Sequence, residues 1–138
     1  MSEEVVIRRV LPVPRERVFE AWLDPETLAK FMRPGETTTA TAEVDARVGG
    51  TFRIAMNHGG GSVDHWGEYL TIDPPSLLSF TWTSVNTDLQ PTVVTIELLD
   101  RGAAGTELIL THRRLPEQQM ESHRKGWTKI VERLAALF

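Results

Sequence analysis

Four histidines are the side chains of this sequence best suited to acid–base or metal chemistry. They stand at His58, His65, His112 and His123, and neutral imidazoles can ligate zinc or move protons near pH 7. Their spacings match no helical metal pair such as H-E-x-x-H. The chain also has no cysteine that could supply a thiolate. We therefore expect no metal site and no cofactor.

His123 is the histidine with the clearest connection to a binding site. It lies on an apolar stripe at helical spacing, one turn before Trp127, and would point toward the interior. The plainer interpretation, a hydrogen-bonded core histidine, is favoured. His65 and Glu68 stand at odd separation on one predicted strand, so they face opposite sides of the sheet. They cannot form an acid–base pair by themselves.

The chain contains four tryptophans, Trp22, Trp66, Trp82 and Trp127. Large aromatic side chains are usually core, and we assign Trp22 to the core. An indole at a cavity wall also offers a ligand apolar surface and one N–H donor. For Trp82 and Trp127 this pocket-lining role stays open.

Glycines mark the turns and one unusual helical position. Gly49-Gly50 lacks the Lys-Ser or Lys-Thr of a phosphate loop and precedes a predicted strand, which favours a tight turn in which Asp45 and Arg47 pair with each other or with backbone. The run Gly59-Gly60-Gly61 is either an exposed hairpin tip or a gating loop. Gly126 inside a helix costs about 1 kcal/mol, so we expect a compensating close approach of backbone or ligand.

Composition describes an ordinary globular domain. The 138 residues suffice for one domain, and 41% are hydrophobic and 25% charged. Fifteen basic against nineteen acidic residues give a net charge of −4, with no basic cluster suited to nucleic acid. Residues 1–4 are acidic, no signal peptide is recognisable, and no apolar run approaches the roughly 20 residues of a membrane span. We expect a cytoplasmic protein without membrane insertion.

The hydrophobic pattern predicts an α+β domain. It begins with a strand and two short helices, continues with six strands separated by turn residues, and ends with a long amphipathic helix. The predicted strands are 4–11, 37–44, 51–57, 65–72, 77–85, 92–99 and 106–111. The predicted helices are 14–23, 25 to about 32, and 117–138. A curved sheet wrapped around the last helix would leave a cavity where side chains do not fill the gap.

Short motifs spread along nearly the whole chain carry a family resemblance. They are Arg9 with Pro14, Val18-Phe19-Glu20-Ala21-Trp22, Asp24-Pro25-Glu26, Asp45-Ala46-Arg47-Val48-Gly49-Gly50-Thr51-Phe52-Arg53, Gly67-Glu68-Tyr69, Gly105-Thr106-Glu107-Leu108, and Gly126-Trp127 followed by Leu134. With these motifs the chain resembles the family of the activator of heat-shock protein 90 ATPase homologues, in the START-like (SRPBCC, polyketide cyclase-like) superfamily. The resemblance implies a helix-grip fold, a single domain over residues 1–138 and a link to stress response.

Fold does not settle function, and three hypotheses remain. We prefer a module that binds a small apolar molecule between the sheet and the C-terminal helix. The second is a cyclase or dehydratase that uses a cavity histidine or carboxylate as acid and base, although no motif brings such groups together, so we lean away from an enzyme. The third, implied by the resemblance alone, is a cochaperone that stimulates a chaperone ATPase. The extra N-terminal domain of the full-length eukaryotic activators is not expected in 138 residues. A homodimer also stays open.

The ligand-binding hypothesis names eight side chains as cavity lining or polar anchors. They are Phe52, Arg53, Ile54, Glu68, Trp82, Leu108, His123 and Trp127. Sequence alone does not decide which alternate set of each strand faces inward. At the end of the second short helix Phe31-Met32 stands where tryptophan is common in the family, so the lining need not match that of its relatives.

Overall fold

Seven strands and three α-helices make up residues 4–138, the part of the chain described by this computed structural model. The strands are β1 (Glu4–Leu11), β2 (Thr39–Val44), β3 (Thr51–His58), β4 (Gly61–Asp73), β5 (Leu77–Trp82), β6 (Thr92–Asp100) and β7 (Thr106–Arg113). The helices are α1 (Arg15–Ala21), α2 (Pro25–Phe31) and α3 (Met120–Ala135). The predicted order of elements is confirmed.

The strands form one antiparallel sheet in the order β1-β7-β6-β5-β4-β3-β2. All six neighbouring pairs are antiparallel, and the register between β4 and β5 shifts between Tyr69 and Thr71. Alternate residues of the central strands are buried, because one face of the sheet packs against the helices. This curved sheet with a long C-terminal helix confirms the helix-grip prediction. No helix in residues 4–138 combines the length and apolar character needed to cross a bilayer.

The short helices α1 and α2 begin where the sequence offers helix starts. Pro14 precedes α1 in an extended conformation, and Asp24 caps α2 by accepting a hydrogen bond from the Thr27 N–H at 3.1 Å. Pro25 occupies the first helical position, where a missing N–H costs nothing. Together the two helices form a cover over part of the sheet.

The long helix α3 packs its apolar stripe into the core. Trp127, Ile130, Val131 and Leu134 are buried, whereas Leu137 lies beyond the helix and is 39% exposed. The helix is shorter than the predicted 117–138, because residues 117–119 form a separate turn of 3₁₀ helix before it.

Several strand boundaries differ from the prediction by one to four residues, and three of these differences have a clear cause or consequence. β4 begins at Gly61 rather than at residue 65, since His58 pairs directly with Gly61, which leaves Gly59-Gly60 as a two-residue hairpin turn. The hairpin-tip interpretation is therefore correct, and no separate gating loop exists there. β5 ends at Trp82 because Ser84 caps a 3₁₀ turn. β7 continues to residue 113 instead of 111 and so includes His112.

Two glycines differ in whether the surrounding atoms leave room for a side chain. A Cβ at Gly67 would lie 1.9 Å from the Thr81 carbonyl oxygen and 2.6 Å from the Phe52 ring, so this strand position must be glycine. A Cβ at Gly126 would meet only the Pro34 side chain, at an ordinary 3.5 Å. The close approach expected at Gly126 is therefore absent from the described structure.

Replacing Gly126 with alanine should stabilise the protein. Alanine fits the space and removes the backbone entropy of a helical glycine, so we expect Gly126→Ala to raise the free energy of unfolding by about 0.5–1 kcal/mol in urea titrations. Gly67→Ala is the matched control and should destabilise strongly. A lower stability for Gly126→Ala would mean that α3 packs more tightly against Pro34 than the distance indicates.

Candidate functional site

The most apolar concave region of the described structure lies under the cover formed by α1 and α2. Its walls come from Trp22, Leu28 and Met32 on the cover side and from five sheet residues, Phe52, Ile54, Tyr69, Phe80 and Trp82. All eight side chains are buried. The aromatic rings pack edge-on or tilted, as in the Phe52–Phe80 pair at 5.3 Å between centroids. We call this region the interior cavity.

The interior cavity is nearly filled by its own walls. Its free volume is about 10 Å³, which is close to the minimum for a single water molecule. Pockets that hold small organic ligands usually measure roughly 300–1,000 Å³. The larger hollows of the protein, up to about 500 Å³, are surface grooves with charged residues in their walls. A ligand could therefore enter the interior cavity only by displacing side chains.

Trp22 brings an unused hydrogen-bond donor to this apolar region. Its side chain is 2% exposed, and its Nε1–H has no partner. The ring packs edge-on against Phe31 at 5.1 Å between centroids. Tyr69 and Trp82 are the other cavity residues with a polar group. Burial raises the pKa of Tyr69, which keeps its hydroxyl neutral. An unsatisfied buried N–H typically costs about 1–3 kcal/mol.

A chain of hydrogen bonds behind the cavity holds α3 on the sheet. The Thr92 hydroxyl donates to the Trp82 carbonyl oxygen at 2.5 Å, and its oxygen lies 2.6 Å from His112 Nε2. Because the only hydroxyl proton is committed to the carbonyl, Nε2 must carry the hydrogen that it shares with Thr92. His112 Nδ1 then accepts from Trp127 Nε1–H at 2.8 Å, and indole is a donor only. Both ends therefore require the same neutral tautomer of His112.

This arrangement suppresses protonation of His112. Burial, together with the nearby His123, lowers the pKa of His112 to about 3. A second ring proton would also face the Trp127 N–H donor, and a hydrogen bond to the neutral form disfavours the charged one. With both nitrogens engaged, His112 is a structural residue rather than an acid or base.

His65 and His123 lie near the same tryptophans. His65 stacks on Trp82 at 4.8 Å between ring centroids, and its buried Nδ1 has no hydrogen-bond partner of ordinary geometry. Burial lowers the pKa of His65 to about 4, while the backbone of Ile54 and Val63 opposes the shift only in part. Burial also lowers the pKa of His123.

The tautomer of His123 follows from its hydrogen bond. Its Nδ1 lies 2.8 Å from the Gln119 carbonyl oxygen, an obligate acceptor, so Nδ1 carries the hydrogen. The lone pair of Nε2 stays available. Among residues 4–138 no group of three histidine or carboxylate side chains is placed to hold a metal ion.

Six of the eight predicted site residues fall into three groups. Phe52, Ile54 and Trp82 line the interior cavity. Leu108 and Trp127 are buried in the core beyond it. His123 is half-buried on α3. The cavity also lies under α1 and α2 rather than under α3 as predicted.

Arg53 and Glu68 are wrong as cavity anchors, because both point to the open face of the sheet. They belong to the alternate set of β3 and β4 residues whose neighbours Phe52, Ile54 and Tyr69 face inward. Arg53 pairs with Asp64 at 2.6 Å on that open face.

The structure also agrees with the interpretation of residues 45–50 as a polar tight turn. Asp45 and Arg47 form an ion pair at 2.9 Å, which is one of the two arrangements that the sequence leaves open. Gly49 has a φ of 82°, and the Gly50 N–H closes the turn by donating to the Arg47 carbonyl oxygen at 2.8 Å. The predicted tight turn is confirmed.

The sequence prediction missed several inward-facing residues. The sequence places Trp22 in the core without a cavity role, and it gives no signal that Tyr69 lines the cavity. His112 fell outside the predicted last strand, although its even spacing from Leu108 and Leu110 places it on their face. Extending that alternation by two residues would have identified it.

Comparison with known protein families identifies the family of this chain. Residues 12–138 match the family described as activator of Hsp90 ATPase homolog 1-like protein. The chain belongs to this family. The match covers β2–β7 and all three helices, so the family's shared architecture accounts for the cover, the sheet and α3.

Several solved structures share the fold of this chain over nearly its whole length. A protein from Chromobacterium violaceum is 30% identical, with a TM-score of 0.86 over 97% of this chain and 95% of the other. An HSP90 activator from Plasmodium falciparum is 26% identical, with a TM-score of 0.76 over 99% and 95%. A Nitrosomonas europaea protein at 23% identity has a TM-score of 0.81 over 97% and 92%, which shows the fold alone. Among curated proteins no significant match is found.

Acid should destabilise this member of the family through its buried histidines. The pKa values of His65 and His112 lie below the ordinary 6.5, so between pH 6.5 and about 4 the unfolded chain binds more protons than the folded one. The free energy of unfolding must fall as pH falls through this window. His65→Gln should reduce the fall by up to roughly 3 kcal/mol, since each pKa unit is worth about 1.36 kcal/mol.

Urea unfolding at a series of pH values measures this effect. His58→Gln is the matched control, because His58 is exposed beside the hairpin turn. Equal pH slopes for wild type and His65→Gln would show that His65 is not held neutral by burial.

Proposed function

We propose that this protein binds a small apolar molecule in the interior cavity between the α1–α2 cover and strands β3–β5. The observation that carries the proposal is the cavity wall, an almost wholly aromatic and aliphatic lining that includes Trp22, whose buried N–H is unpaired. Binding pockets combine a predominantly apolar lining with a few polar groups in the same way. Family membership supports a ligand-binding role only in general terms.

Binding requires side chains of the cover to move, because the free volume of the interior cavity is too small for an organic ligand. The cover consists of two seven-residue helices, and it contributes Leu28 and Met32 to the cavity wall. Methionine adapts readily to irregular spaces, since its side chain is unbranched and flexible. Displacing these two side chains would open space without disturbing the hydrogen bonds that hold α3.

The cover is anchored at its far end. The Arg133 Nε–H on α3 donates to the Arg33 carbonyl oxygen at 2.8 Å, and the Arg33 guanidinium donates to the carbonyl oxygens of Lys30 and Thr38. These bonds tie the segment after α2 to α3 and to the start of β2. Any opening is therefore expected to be a local shift of Met32 and Leu28.

Enlarging the cavity should strengthen binding of an apolar probe. We expect Met32→Ala to bind naphthalene more tightly than wild type, because the removed side chain leaves apolar space that a ring can fill at about 25 cal/mol for each Å² buried. Intrinsic tryptophan fluorescence and the rise in melting temperature with probe concentration measure the affinity. Trp82 lines the cavity and serves as the reporter.

Trp66→Phe is the matched control, because Trp66 is 43% exposed on the open face of the sheet. Its affinity for naphthalene should equal that of wild type. If neither wild type nor Met32→Ala responds to naphthalene, fatty acids, aromatic polyketides or a hydrophobic dye, the ligand-binding proposal is wrong.

The filled cavity favours a second candidate function, stimulation of a chaperone ATPase through the protein surface. The protein shares its fold over 99% of its length with a Plasmodium falciparum protein described as an HSP90 activator. A surface role needs no interior space. Under this candidate, the protein should raise the ATPase rate of an HSP90-class chaperone, and Met32→Ala should raise it equally. An unchanged rate at saturating protein concentration would contradict it.

A further inference from the structure

The unpaired indole donor of Trp22 narrows the class of ligand that the interior cavity would take. Trp22 lies at the end of α1, where its ring is fixed between the helical cover and the sheet. Its Nε1–H is buried and has no acceptor in the described structure. Buried polar groups are nearly always paired, so an exception calls for an explanation.

Neighbouring side chains do not supply an acceptor. The other seven residues of the cavity wall are aliphatic, aromatic or thioether side chains. Their conventional hydrogen-bonding groups are the Tyr69 hydroxyl and the Trp82 indole N–H, and an indole N–H can only donate. A single water would have at most the polar groups of Trp22, Tyr69 and Trp82 as partners, and the free volume of about 10 Å³ lies at the lower limit for one water molecule. The wall is therefore better matched to an apolar molecule with one acceptor atom.

The absence of charged side chains from the cavity wall narrows the class of ligand further. Among residues 4–138 no aspartate, glutamate, lysine or arginine is buried, and the cavity wall contains no charged side chain. An ionised carboxylate or amine placed there would lose its hydration without a counter-charge. The occupant must be neutral.

We infer that the ligand is a neutral, largely apolar ring compound whose single acceptor atom, such as a carbonyl oxygen or a ring nitrogen, receives the Trp22 Nε1–H. This inference rests on the proposed function, because it assigns the polar contact within the same cavity. Trp22 thereby selects among apolar ligands of equal size. Affinity comes from the surrounding rings, and orientation comes from the indole.

Naphthalene and quinoline provide the test, because they share size and shape while only quinoline carries an acceptor nitrogen. Both are titrated at pH 8, where quinoline is neutral, against wild type, Trp22→Phe and the control Trp66→Phe. A hydrogen bond contributes about 0.5–1.5 kcal/mol net. Trp22→Phe should therefore lower the ratio of quinoline to naphthalene affinity by roughly 2- to 10-fold, and Trp66→Phe should leave it unchanged.

The indole N–H resonance of Trp22 gives an independent readout. In ¹H–¹⁵N spectra, assigned by its disappearance in Trp22→Phe, it should move downfield with quinoline and not with naphthalene. A loss of packing in the variant would change both affinities but would not produce this selective shift in wild type.

The outcomes separate the inference from the function on which it rests. Suppose that naphthalene binds, that Trp22→Phe leaves the ratio of quinoline to naphthalene affinity unchanged, and that quinoline does not shift the Trp22 N–H resonance. The inference is then overturned and the apolar-ligand function stands. If neither compound binds wild type, both are overturned. A selective shift together with the lowered ratio supports both.

Discussion

The hydrogen-bonded chain from the Trp82 carbonyl through Thr92 and His112 to Trp127 determines how α3 sits on the sheet. It links β5, β6, β7 and the helix in sequence, and every donor in it meets one acceptor. Because indole can only donate and a carbonyl can only accept, the chain has one allowed direction. That direction fixes the His112 tautomer and brings Trp127 to 5.0 Å from Trp82 between ring centroids. Trp82, which forms part of the wall of the interior cavity, is thereby connected to α3.

The same core contains two kinds of buried polar group with opposite consequences. His112 is fully satisfied, so it adds specificity to the packing of α3, and a satisfied buried network tends to define a unique structure. The Trp22 indole is unsatisfied, so it lowers the stability of the unliganded protein. An acceptor supplied by a ligand would recover that loss. The difference between these two groups separates the part of the core that holds the fold from the part that we assign to binding.

The sequence predicted the architecture well because its signals were local. The turn residues around Gly49-Gly50, the Asp24-Pro25 helix start and the apolar stripe of α3 each specify their own element. The site was harder to predict, because strand parity depends on pairing with neighbours. Arg53 and Phe52 are adjacent in sequence yet face opposite sides of the sheet, and only the register of β3 with β4 decides which one faces inward. Residues 61–64 resemble a loop in composition, and pairing with β3 makes them a strand.

Under the proposed ligand-binding function, neutrality of the interior would allow one site to be both stable and selective. Burial keeps His65 and His112 uncharged near pH 7, since their pKa values are about 4 and 3, and the charged side chains of β3 and β4 lie on the open face. A charged anchor inside would demand a partner in the empty protein, because an uncompensated buried charge costs several kcal/mol. A neutral indole donor costs less free energy than a buried charge when the site holds no ligand. When a ligand is bound, the donor still favours ligands with an acceptor, because an apolar ligand without one leaves the N–H unpaired. The low charge of the cavity wall is therefore the condition under which a single N–H group can set ligand preference.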